Sequence, residues 1–281
     1  MTLTPRLLDH CVLPVPDLAT ARARYEALGF TVAPQGTHPF GTINSCVYFA
    51  DDTFLEPLVI GDAAEVRDAI GSSNVFVARD ALYRQAIGED GFSALVFKTD
   101  DAKADHAGFE EADVSAGPIL DFSRAFVDPS GKSGKVSFRL AFAAEPGNDA
   151  AYFFTCQRID AVASAGRAAL ETHRNGVTGI AGVMMTTADP HAHEAFLSSL
   201  AHAPVEAAGG GIVARLGNSR LVMEPADGPL RLAAIHFAVA DIDTTGKALA
   251  AGNVAFQHEG RTLTVRPAPG QGAIFTFEDR S

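Results

Sequence analysis

The sequence predicts an α+β fold of four β-α-β-β-β units, paired into two half-barrels. Three observations lead there. Acidic residues stand at four comparable places (Asp17, Asp101, Asp189 and Asp241), each between an apolar β-like run and a segment of helical spacing. Three short β-like runs follow each of those segments. Extra helix-like sequence interrupts the series at 61–91 and at 159–178, and the second interruption marks the boundary between halves.

Unit one opens with "LLDHCVLPVP", and Asp17 then caps a helix whose apolar positions are Leu18, Ala21, Tyr25 and Leu28. "FTVAP", "INSCVYFA" and "TFLEPLVI" are its later strands. The insert holds two helix-like pieces, "AAEVRDAI" and "RDALYRQAIG". Unit two repeats the opening as "SALVFKTDDAKADHAGFEEA" and continues with "GPILDFSRAF", "KVSFRLAFA" and "AYFFTCQ". An Ala-rich connector, "IDAVASAGRAALETH", reads as helical. Unit three is "IAGVMMTTADPHAHEAFLSSL" with "PVEAA", "GIVARLG" and "SRLVMEP". Unit four is "LAAIHFAVADIDTTGKALAAG" with "VAFQHEG", "RTLTVRPA" and "AIFTFED". One unit alone exposes a face of its sheet, whereas two can curl around a shared hollow. The expected domains are therefore 1–158, with its helical insert, and 179–281, joined by the connector 159–178.

Composition narrows the function. Acidic residues outnumber basic ones, 34 to 22, for a formal net charge of −12, and the basic residues are scattered. That balance disfavours nucleic acid and anionic membrane as partners. No apolar run approaches the ~18 residues of a membrane span, so the expected setting is cytoplasmic. The expected partner is a small molecule, and the expected assembly extends to a homodimer. Cys11, Cys46 and Cys156 show no CxxC spacing and read as buried reduced thiols. Nothing resembles GxSxG, HExxH or a Walker-type run, so nucleophilic hydrolysis and nucleotide chemistry lack support.

His10 is out of place in its apolar strand. By strand alternation Leu8, His10 and Val12 share one face, as do Phe54, Glu56 and Leu58. If both faces line the hollow, an imidazole and a carboxylate converge there. His38 and Asn44 lie in "GTHPFGTIN", a turn-rich loop able to close over a ligand. Arg124 and Arg139 sit inside β-like runs, where a guanidinium must reach water, a carboxylate or a ligand. Facing the hollow, they suit an anionic substrate; facing outwards, they are a solvated surface. Glu224, His236 and Glu278 in the last two units read as a structural half rather than a second site. His191 and His193 read as exposed residues at a helix start.

"LDHCVLPVPDL", "ARYEALGF", "FLEPLVI", "HPFGTINSCVYF" and "YFFTCQ" together resemble the glyoxalase-like branch of the vicinal oxygen chelate superfamily. The resemblance is sharpest over 7–60 and near 152–157, and it implies two glyoxalase-like half-barrel domains. It also implies metal ligands at His10 and Glu56, with Zn, Fe, Mn, Ni or Co as the divalent ion. Where the resemblance leads one to expect a further Glu, unit two offers Thr155 or Gln157, and Gln157 completes a three-ligand set. No second His occupies the corresponding place, which holds Ala94, Gly182 and Ala234 in the later units. The plainer alternative is an ion pair or hydrogen bond between His10 and Glu56. Two function classes follow. One is an enzyme of isomerase, lyase or dioxygenase type on a small oxygen-rich molecule, with Glu56 as ligand or general base. The other is a metal-free protein that binds a small molecule in the same pocket.

Overall fold

A computed structural model describes residues 4–127, 133–160 and 168–279 of the chain. Unit one comprises β1 (Leu7–Pro14), α1 (Leu18–Ala27), β2 (Gly36–Thr37), β3 (Thr42–Asn44), β4 (Val47–Tyr48) and β5 (Phe54–Ile60). The helices α2 (Ala63–Gly71) and α3 (Val75–Ala86) intervene before unit two, which is β6 (Ala94–Lys98), α4 (Ala102–Glu111), β7 (Leu120–Val127), β8 (Ser133–Ala143) and β9 (Tyr152–Arg158). Unit three is β10 (Val177–Thr187), a 3-10 turn at Pro190–His193, α5 (Glu194–Ala201), β11 (Val205–Ala208), β12 (Gly211–Arg215) and β13 (Arg220–Pro225). Unit four is β14 (Arg231–Val239), α6 (Ile242–Ala251), β15 (Gln257–Glu259), β16 (Thr262–Val265) and β17 (Ile274–Asp279).

Unit one pairs with unit two, and unit three with unit four. The first sheet runs β2-β3-β5-β1-β6-β9-β8-β7, with β4 also on β5; the second runs β11-β12-β13-β10-β14-β17-β16-β15. In each sheet the opening strands of the two units lie antiparallel at the centre, flanked by parallel partners. The α+β class and the paired half-barrels of the sequence reading hold. All four anchor acids cap helices: the carboxylates of Asp17, Asp101, Asp189 and Asp241 accept backbone N–H groups of the following turn.

Several elements differ from expectation. Residues 30–34 form no strand, because Thr31 turns its N–H to His173 Nδ1 (3.0 Å) and Pro34 offers no donor. The run 43–50 breaks into β3 and β4. Part of the expected connector helix, 161–167, lies outside the described residues; the described stretch 168–176 is turn and holds no helix. There the Nε2–H of His173 donates to the Tyr48 carbonyl at 2.8 Å, fastening the stretch to unit one. His193 is buried rather than exposed, between Glu145 (2.9 Å) and Thr187 (3.0 Å).

Two apolar cores result. The larger lies on the helix side of both sheets and is shared by the halves, through contacts such as Phe30–Phe237, Tyr25–Phe275 and Phe153–Phe196. The smaller fills the first half-barrel from within, where Val66, Val75, Phe76 and Val77 of α2 and α3 meet Val12, Leu58, Val96 and Phe154. No helix corresponds to α2 and α3 in the second half, where β13 leads to β14 through residues 226–230.

Candidate functional site

The site begins with an irregularity in β1. Its pairing with β6 runs Leu7–Lys98 and Leu8–Phe97, then resumes at His10–Val96, so Asp9 is an extra residue. A bulge reverses the facing of everything before it. Leu8 therefore joins Cys11 and Leu13 in the helix-side core instead of sharing a face with His10. The expectation that Leu8, His10 and Val12 line one face is corrected at Leu8. Asp9 is left fully buried, beside the imidazole of His10.

On the other side of β1, parallel β5 sets His10 opposite Phe54 and Val12 opposite Glu56. His10 and Glu56 are consequently diagonal neighbours on the concave face. The His10 ring stacks on Phe54 at 4.2 Å, and its Nε2 lies 3.4 Å from Glu56 Oε2. Its Nδ1–H points to Asp9 Oδ2 at 2.9 Å. Arg158, at the end of β9, donates to both oxygens of Asp9 at 2.9 and 3.0 Å. Glu56 Oε1 accepts the Asn44 amide at 2.6 Å and stands 3.6 Å from His38 Nε2. His38 Nδ1 meets Thr42 Oγ1 at 2.9 Å, and its ring stacks on Phe40.

Burial and charge oppose each other at every one of these groups. Burial alone would favour neutral forms of all these groups. For Asp9 it is outweighed by His10 and Arg158, which hold the carboxyl at about 2. Burial is outweighed at Glu56 by His10, His38 and Asn44, again giving about 2. His10, between two carboxylates, has its pKa raised despite burial. In His38 burial wins over the attraction of Glu56, Arg124 adds repulsion, and the imidazole falls to about 4. At neutral pH Asp9 and Glu56 are carboxylates and His38 is neutral, and the two carboxylates beside His10 favour its protonated form in a chain that ends at Arg158.

This chain borders a cavity of about 50 Å³. Six phenylalanines line it (Phe40, Phe54, Phe76, Phe122, Phe138 and Phe154), together with Cys46, Leu140, Cys156 and Arg124. Arg124 lies over the Phe138 ring, its Nε without a hydrogen-bond partner. Among the described residues no carboxylate pairs with it. Burial pushes the Cys156 thiol up, so it is no thiolate nucleophile.

The structure thus gathers His10, Glu56, His38, Asn44 and Arg124, and leaves out two expected residues. Gln157 does not face the cavity. Strand alternation turns its neighbours Cys156 and Arg158 inward, and Gln157 instead caps α4, accepting from Ala102 N–H and donating to the Asp100 carbonyl. Arg139 is also misplaced, because Phe138 and Leu140 of its strand line the cavity while Arg139 pairs outside with Asp121 at 2.8 Å. Sequence reasoning missed Asp9 and Arg158. The signal was an acid beside His10 and an arginine closing "YFFTCQR", hidden by the bulge.

These residues do not assemble the expected three-ligand set of His10, Glu56 and Gln157. Glu56 Oε1 receives an amide N–H, and Gln157, the third expected ligand, points elsewhere. Among the described residues no group of three His, Cys, Asp or Glu side chains is placed to hold a metal ion. The second half holds no copy of the pair. Register puts Gly182 in the place of His10 and Val222 in that of Glu56. A Cβ at Gly182 would meet Arg220 Cγ at 2.9 Å, and Arg220 joins His236 and Glu278 in a partly exposed ion cluster.

Solved structures share this architecture at low identity. A hypothetical protein from Staphylococcus aureus is 14% identical, with a TM-score of 0.71 over 98% of this chain and 99% of that one. A mutant of 4-hydroxymandelate synthase from Streptomyces coelicolor, also 14% identical, gives 0.63 over 99% and 94%. The Mn(II)-bound glyoxalase from Novosphingobium aromaticivorans, 11% identical, gives 0.56 over 99% and 82%. At such identities the likeness is one of fold. No curated protein matches the sequence. Residues 8–201 match the sequence model of the glyoxalase-like domain family. With more than half its length matched and the paired half-barrels in place, the chain belongs to the glyoxalase-like domain family of the vicinal oxygen chelate superfamily.

Proposed function

We propose that the first half-barrel takes a small organic anion with a flat apolar body, and that His10 supplies a proton to an oxygen of it. One observation supports this above all: among the described residues no carboxylate pairs with Arg124, which stands in a phenylalanine-lined cavity bordered by the His10–Glu56 pair. The charges of Asp9 and Glu56 are matched by Arg158 and His10, and His38 is neutral, so Arg124 leaves one positive charge for a ligand. The phenylalanines suit a planar body. A cavity of about 50 Å³ is smaller than most ligands. Strand β7, which carries Arg124 and stands at the edge of the sheet with β8 as its one partner among the described residues, is the wall that can give.

Glu56, held at about 2, is a weak base, and its part is to keep His10 charged. His10 then donates its proton to a carbonyl oxygen while the neutral imidazole of His38, in the same cavity, takes the proton beside that carbonyl, chemistry of the isomerase or lyase kind. A second reading, binding without turnover, is favoured by the way Asp9, His10 and Glu56 satisfy one another. The test is calorimetric titration with small aromatic and aliphatic carboxylates, their methyl esters as controls, followed by deuterium exchange next to the carbonyl of any keto acid bound. Carboxylate binding weakened at least about tenfold in Arg124→Ala supports the site. Exchange lost in His10→Gln supports turnover, and binding without exchange supports the second reading. No carboxylate binding to the native protein would overturn both.

A further inference from the structure

The β1 bulge needs a partner that β5 cannot provide. Phe54, where β5 begins, is level with His10, so Leu8 lies beyond the end of that neighbour. At Leu8 a side chain from the second half takes the place of a strand. The Leu8 N–H donates to Asn218 Oδ1 at 2.8 Å, and Asn218 Nδ2 donates to the Leu8 carbonyl at 3.0 Å. The Gly217 N–H donates to the Arg6 carbonyl at 2.9 Å, and the Arg6 N–H to the Ala201 carbonyl at 2.9 Å. The turn between β12 and β13 and the end of α5 therefore grip β1 on the approach to Asp9.

We propose that Asn218 is a positioning residue for the His10 site. By closing both polar groups of Leu8 it holds the bulge that places Asp9 against His10 Nδ1. Without it, the unpaired N–H and carbonyl of Leu8 would be met by sliding β1 one residue into regular pairing. That slip would turn Asp9 from the imidazole and part it from Arg158. The second half, which has no His–Glu pair of its own at the corresponding register, thereby acts on the first. The inference extends the site proposed above, but its test needs no ligand.

The measurement is the Nδ1–H of His10, read by imidazole nitrogen-proton NMR at fixed neutral pH. In the native protein this proton, donated to a buried carboxylate, should be downfield and protected. In Asn218→Ala it should exchange about tenfold faster or more, with cooperative melting retained. Ser219→Ala is the control, because Ser219 Oγ has no hydrogen-bond partner among the described residues, and it should leave the signal native. If Asn218→Ala does not fold, Asn218→Asp decides, since it keeps the acceptor for the Leu8 N–H and loses the donor. Its proton should exchange at an intermediate rate. Native exchange in a folded Asn218→Ala, or in Asn218→Asp where that is used, would overturn the proposal. Such a result leaves the anion site standing, and a native protein that binds no carboxylate leaves the role of Asn218 standing.

Discussion

His10 Nε2 and Glu56 Oε2 meet at 3.4 Å, and each residue exposes about a twentieth of its surface. The pair is closed on its far sides by Asp9 and Asn44. Breaking a buried pair from one end leaves an uncompensated charge. Glu56→Ala should therefore cost about 3 kcal/mol at neutral pH, measured by urea unfolding.

The pH dependence of that cost follows from Glu56 itself. Its folded value of about 2 lies below the ordinary 4.5, so its stabilisation is present above the ordinary value and is lost as pH falls through the folded one. The stability gap between the native protein and Glu56→Gln should narrow steadily from about pH 5 to pH 2. A gap that does not vary across this window contradicts the assigned state.

His38 acts in the same direction within the same pocket, at higher pH and by the opposite change of charge. Its folded value of about 4 lies below the ordinary 6.5, so the unfolded chain binds the proton first. Native stability should fall as pH drops from about 6.5 to 4. His38→Gln, which cannot charge, should remove that part of the slope in melts taken across the window.

Gly36 makes room for the guanidinium. A Cβ there would meet Asn44 Oδ1 at 2.5 Å and Arg124 Nη1 at 3.0 Å. Gly36→Ala should displace both side chains, weakening carboxylate binding to about the level of Arg124→Ala. Arg139→Ala, which removes only the exposed pair with Asp121, should leave binding unchanged and alter stability by less than about 0.5 kcal/mol. Equal loss of binding in Arg124→Ala and Arg139→Ala would refute the assignment of faces.

Metal titration separates this chain from the expectation of its family resemblance. Calorimetry with Mn, Fe, Co, Ni and Zn ions should show no tight binding that depends on His10, since Gln157, the third expected ligand, is turned to α4. Tight binding abolished in both His10→Ala and Glu56→Ala would restore the metal centre.

Much of the fold was legible because each unit announces its helix with a capping acid, and capping is local chemistry. Pairing of the units could be read only from the place of the connector, since nothing in a strand's sequence names its neighbour across the sheet. His10, Glu56, His38 and Asn44 were legible as polar residues where apolar ones were due. Gln157 and Arg139 failed by a single step of strand alternation: their neighbours Cys156 and Leu140 line the cavity instead. Asp9 was hidden for a related reason. In a regular strand it would face away from His10, and the bulge that brings it back depends on Asn218, more than two hundred residues later.

The core shared by the two sheets bears on how the protein can be divided. Tyr25, Phe30, Phe49 and Phe153 belong to the first half yet sit in one cluster with Phe237, Phe275 and Phe277 of the second. Cutting the chain in the connector would strip that cover and leave a broad apolar face in water. Neither fragment is a module to be expressed alone. Heat or denaturant should take both halves through a single transition, and a mutation far out in the second half would register as lost yield of the whole.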